Sequence, residues 1–164
     1  MQDFRARRTI TSALRMGCLM LALTATLMAC AETVKHDEGL AAKRALEFAR
    51  VVFFEKDLDK GYTLLSENAK RHIPLDKFKQ TIKAMHPNGY PDRVTAIEYE
   101  PMAGEKAIYI YLTGRNADDQ SFNYRITMEG TAAADYKVLK IDQGGGFPTL
   151  TNQKQPFKPV ISIP

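Results

Sequence analysis

The spacing of apolar residues changes once along this chain, near residue 90, and that change limits the folds open to it. Before it, apolar residues recur every three or four positions. Ala42, Ala45, Leu46, Ala49, Val52 and Phe53 form one stripe, and Lys43, Glu47 and Arg50 fall opposite. This spacing predicts an amphipathic helix over about residues 39–56, with Asp37 as N-cap and Glu38 in the first turn. Asp57-Leu58-Asp59 restarts the chain. Tyr62, Leu64, Leu65 and Ala69 predict a shorter second helix, weakened at its start by Gly61. Arg71-His72-Ile73 reads as a brief extended piece, because the residue before Pro74 avoids helix. Leu75, Phe78, Ile82 and Met85 share the face of a third helix, which His86-Pro87-Asn88-Gly89 ends.

After residue 90 the period becomes two. Thr95, Ile97 and Tyr99 alternate with Ala96, Glu98 and Glu100, and Ala107 to Leu112 is apolar on both faces. Phe122, Tyr124, Ile126 and Met128 face one way, while Asn123, Arg125, Thr127 and Glu129 face the other. Tyr136 to Asp142 closes the series. Short turns at 102–105, 116–119 and 130–135 join the four runs into a meander. Helices first and strands after predict an α+β fold: three N-terminal helices packed on a curved four-stranded antiparallel meander, spanning 38–143. Gly144-Gly145-Gly146 then releases the chain. Residues 144–164 hold four of the eight prolines and read as an extended tail, lying over the domain or reaching a partner.

The first thirty residues have another texture. Arg5, Arg7, Arg8 and Arg15 precede sixteen uncharged residues from Met16 to Ala31, ending in small side chains. That order is the order of an export signal. Sixteen residues fall short of the ~20 that cross a hydrocarbon layer. Leu27-Met28-Ala29-Cys30 resembles the lipobox of bacterial lipoprotein signals. The resemblance implies that 1–29 is removed, that the Cys30 thiol carries a diacylglyceryl group and that the new amine is acylated. It also implies a cell-envelope address, the outer membrane where the source has two, since Ala31 rather than Asp follows the cysteine. Residues 30–37 are then a short tether.

Removing the signal takes away 4 of 23 Lys+Arg and 1 of 19 Asp+Glu, leaving 19 against 18. The high isoelectric point thus belongs largely to the discarded segment, and nothing in this balance argues for nucleic acid. Cys18 leaves with the signal and Cys30 becomes the anchor, so the domain has no thiol for a disulfide, a metal site or a nucleophile. Its core alone must hold it.

The stretches that carry a second resemblance are the Ala/Leu/Phe face of the first helix, DLDKGYTLLS at 57–66, Leu75-Asp76-Lys77-Phe78 and the closing Tyr136-Lys137-Val138. Their order is similar to that of the NTF2-like (cystatin-like cone) superfamily, and especially its small bacterial lipoproteins. The resemblance implies a cone with a pocket, and a homodimer through the sheet, as in some relatives. None of that superfamily's catalytic residues aligns here, so no catalytic role carries over. Tyr109, Tyr111, Glu98 and Asp142 are the polar handles a pocket would use, with His72 at its border. Packing on a half-wet sheet also accounts for the tyrosines. His36 reads as part of the tether. His86 reads as a helix end, where a cation suits the dipole. The histidine spacings make no ligand motif, so no metal or cofactor is expected.

The first functional reading is a lipid-anchored domain that binds without turnover, taking a small apolar ligand in the cone or an envelope protein. The second is an enzyme of the dehydratase or isomerase kind, with His72 or a strand acid as base. The third is an accessory subunit of an envelope complex that docks through 147–164.

Overall fold

The computed structural model describes residues 34–150 and 153–163. The signal segment, the lipobox and Cys30 lie outside the described residues.

Four helices come first. α1 runs Glu38–Ala49 and continues as one π-helical turn, Arg50–Phe54. Asp37 opens it as expected, its carboxylate accepting the Leu40 N–H at 2.8 Å. α2 is Leu58–Thr63, α3 is Glu67–His72 and α4 is Leu75–Met85. The expected extended piece at 71–73 is therefore mostly helix. Ser66 supplies the reason: its hydroxyl accepts the Ala69 N–H and starts a turn there. The proline restriction touches only its neighbour Ile73, which is extended at φ −130°. The extended contact falls earlier. Leu65 bridges Val138 in parallel, with Ser66 N–H donating to the Val138 carbonyl at 2.8 Å.

Gly61 does more than weaken a helix start. A Cβ there would lie 2.5 Å from Val52 Cγ2, so the glycine lets α2 close on the end of α1.

The strands are β1 Arg93–Pro101, β2 Ala107–Arg115, β3 Ser121–Thr131, β4 Ala134–Gln143 and β5 Gln155–Ile163. They form one antiparallel sheet in the order β4-β3-β2-β1-β5. Among the described residues the fold is α+β as expected, but with four helices and five strands. The fifth strand comes from the presumed tail. Val94 pairs with Ile163 and Ala96 with Ile161, while the Phe157 ring sits 4.9 Å from that of Tyr99. Pro156 and Pro159 made this segment look unlike a strand. Pro156 fits because β5 is an edge strand, and Pro159 falls within 157–160, where the pairing with β1 is interrupted.

Register decides which face each strand residue takes. Ile108 pairs with Met128, Ile110 with Ile126 and Leu112 with Tyr124, all buried on the helix side. Ala41, Ala42, Ala45 and Ala49 of α1 join Phe48, Phe53, Phe78 and Ile82 in the same core. In β1 the strict alternation breaks. Ala96 pairs with Leu112 but Glu98 with Tyr111, so Ile97 is an extra residue in a bulge. The bulge puts Glu98 and Glu100 beside Tyr111 and Tyr109, on the face away from the helices.

Residues 35–37, expected to lie outside the domain, are hydrogen-bonded to it. The Ala132 N–H donates to the Lys35 carbonyl at 2.9 Å, and the Asp37 N–H donates to the Tyr136 hydroxyl at 2.9 Å. His36 spans the Tyr136 hydroxyl at 3.2 Å and the Glu105 carbonyl at 3.1 Å. Residues 35–37 thus belong to the domain.

If β5 is part of the folded unit, Phe157→Ala should cost about 3 kcal/mol in urea unfolding, as for other large-to-small core changes. A loose tail would leave the midpoint unchanged.

Candidate functional site

Two regions collect the residues singled out from the sequence. The first is the sheet face turned away from the helices. Sheet register brings Glu98, Glu100, Tyr109, Tyr111, Arg125 and Asp142 onto it. Tyr111 and Glu98 are therefore together, but on the outer face rather than under the helices, which fill the inner face with apolar side chains.

This face is charged, yet it is covered. The connection from β4 to β5 crosses it. Phe147 packs 6.2 Å from the Tyr111 ring, and the Arg125 guanidinium lies 5.1 Å from the ring centres of both Phe147 and Tyr109. The Leu150 N–H donates to one oxygen of Glu100 at 2.9 Å, while Tyr111 donates its hydroxyl to the other at 2.5 Å. Lys154 pairs with Glu98 at 2.7 Å and stands 4.1 Å over the Tyr111 ring. Burial, then the bond to Glu100, pushes the Tyr111 hydroxyl far above its ordinary range. Burial also works against the charge on Asp142. Hydrogen bonds from Lys140 and Arg125 outweigh it and hold that carboxyl low. The cluster is thus closed by its own partners and by the crossing segment, which suits a structural role.

The second region is a groove of about 700 Å³. β4 is the last strand of its side, and beyond the Leu65 bridge its edge has no strand neighbour among the described residues. The groove folds around this edge. On the helix side Leu65, Ala69, Phe78 and Ile82 meet Leu139 and Ile141. On the other side Tyr109, Thr127 and Glu129 line it, together with Met102 and Lys106 near the β1–β2 turn. Its wall is mostly apolar and its size is that of a small-molecule pocket, roughly 300–1,000 Å³. One carboxylate oxygen of Glu129, Oε2, is buried without a hydrogen-bond partner. Such an atom is costly unless a donor reaches it.

His72 borders this groove too, from the exposed end of α3 rather than from a strand. The four expected binding residues therefore divide. His72 and Tyr109 line the groove, while Tyr111 and Glu98 lie in the covered cluster. Sequence reasoning missed Thr127, Glu129 and Leu139. The alternation in β3 puts Thr127 and Glu129 on one face, but no local pattern places a groove there.

His86 is a correction. The structure buries it, stacked on Tyr90 at 4.4 Å, rather than leaving a cation at a helix end. Its Nδ1 lies 2.8 Å from the Ile82 carbonyl and its Nε2 2.7 Å from the Tyr124 hydroxyl. A carbonyl only accepts, so Nδ1 carries the proton and the Tyr124 hydroxyl donates to Nε2. Burial lowers the His86 pKa, against a smaller opposing pull from the Ile82 carbonyl.

Among the described residues, no group of three or more His, Cys, Asp or Glu side chains converges as a metal site, and no helix is long and apolar enough to cross a membrane. Comparison with protein-family models, curated proteins and solved structures finds no match for this chain.

The histidine gives a pH test. A group whose folded pKa is depressed binds its proton more readily in the unfolded chain. Stability should then be full above about pH 6.5 and fall as the pH drops below it. Denaturation midpoints at neutral and mildly acidic pH should separate in the native chain. They should converge in His86→Leu. Tyr124→Phe leaves Nε2 without its donor and should cost about 1–3 kcal/mol at neutral pH.

Proposed function

We propose that this protein is a lipid-anchored module of the bacterial cell envelope that holds a small, mostly apolar ligand and does not turn it over. The observation that carries the binding half is the groove around β4, with its apolar wall and its volume. The anchoring half rests on the basic head, the short apolar run and Leu27-Met28-Ala29-Cys30. The anchor holds the domain at the inner surface of the outer membrane where two membranes exist. The NTF2-like reading is kept as a proposal. Its support is the succession of helices before a long meander, together with the parallel contact of Leu65 with the last meander strand.

An enzyme of the dehydratase or isomerase kind is the second reading, favoured by His72 and Tyr109 bordering one groove. An accessory subunit docking through the tail has less chain to use, since Gln155, Pro156, Ile161, Ser162 and Ile163 pair with β1.

Two measurements test the proposal. A fluorescent naphthalene sulfonate dye should bind the protein, and Thr81→Trp, which fills the groove from α4, should weaken binding about tenfold, or ~1.4 kcal/mol. Cys30→Ala should move the protein from the membrane fraction to the soluble fraction. Equal dye binding by both proteins removes the ligand site. Unchanged fractionation together with an unlipidated mass removes the anchor.

A further inference from the structure

The groove reaches the end of the domain at which residues 35 and 36 are held. Lys35 is tied to Ala132 beside the β3–β4 turn, and His36 to the Glu105 carbonyl in the β1–β2 turn. The Gly130 N–H donates to the Lys106 carbonyl at 2.8 Å, joining the two turns. Glu105 and Lys106 also line the groove, and Glu129 stands beside Ala107 in the sheet. Glu105, Lys106 and Glu129 thus bring charge to this end of the groove, while Asn68, His72, Thr81 and Lys140 line it elsewhere. Phe78, Ile82 and Ile73, on the helix side, make the apolar part.

Chain length fixes how far that end can stand from the lipid. A residue spans at most ~3.6 Å, so Cys30 and Lys35 are separated by no more than about 18 Å whatever path the chain takes. Acyl chains on Cys30 would therefore hold the two turns close to the lipid headgroups.

We propose that the groove takes one acyl chain of a lipid from the bilayer that anchors the protein. The chain enters past Lys106 toward Phe78 and Ile82. The head end stays at the rim, beside Glu105 and Lys106. The proposal rests on the lipid-anchor reading. It adds the identity of the ligand and the direction from which it comes.

The test uses the full-length protein, processed in a bacterium and reconstituted in vesicles of phosphatidylethanolamine and phosphatidylglycerol. A fraction of the phosphatidylethanolamine carries a diazirine on one acyl chain. Illumination should place the lipid adduct on the peptides bearing Phe78, Ile82 and Leu139, with little on β5. Thr81→Trp should lose most of that adduct, as should Asn68→Trp. Inserting about twenty Gly/Ser residues between Ala31 and Glu32 adds roughly 25 Å of reach. It should also lose most of the adduct while the protein still pellets with the vesicles. Adducts spread evenly over the surface, or unchanged in both tryptophan variants, would overturn the proposal. Intact mass separates the two levels. A lipidated protein that binds the dye but takes no photolipid sinks only this inference. An unmodified Cys30 sinks the anchor beneath it.

Discussion

The close approach of α1 to the sheet sets the position of everything else. Ala41, Ala42, Ala45 and Ala49 are all buried, and none reaches beyond a single methyl. Such a stripe lets the backbone of the helix lie near the strands. Phe48 and Phe53, from the same helix, then fill the space toward Phe78 and Tyr124. Each fully buried aliphatic or aromatic side chain contributes about 1.5–3 kcal/mol. With no disulfide in the domain, this packed face is what offsets the entropy of ordering the chain.

The opposite face obeys a different rule. It carries buried charge, and buried charge is stable only when paired and hydrogen-bonded. Arg125 meets Asp142 and two rings, Lys154 meets Glu98, and Glu100 meets Tyr111 and a backbone amide. Three of these partners come from the connection between β4 and β5. The segment that looked like a free tail is therefore the cover of one face and the edge of the sheet.

Much of the first helix and the four-strand meander could be read from periodicity, since Ala/Leu/Phe stripes and alternating strands encode local geometry. Asp37 as a cap was legible for the same reason. What escaped were long-range facts. The ring of Phe157 finds Tyr99 across 58 positions, and no local pattern announces that pairing. The bulge at Ile97 puts Glu98 and Glu100 together on the far face beside Tyr111 and Tyr109, which alternation alone does not show. His86 shows the same limit. Its neighbours Pro87, Asn88 and Gly89 suggested solvent, but Tyr90 and Tyr124 enclose it. The groove was half legible: His72 and Tyr109 were named, while the wall of Leu139 and Ile141 depended on which strand became the open edge.

The prolines of β5 have a consequence for life in a crowd. A bare sheet margin invites a neighbouring chain to add itself by backbone pairing. Pro156 and Pro159 remove two amide hydrogens from a nine-residue strand, and the outward Lys158 adds charge between them. This flank of the molecule is therefore a poor template for growth, and fibre-like stacking of copies has nowhere to start along it.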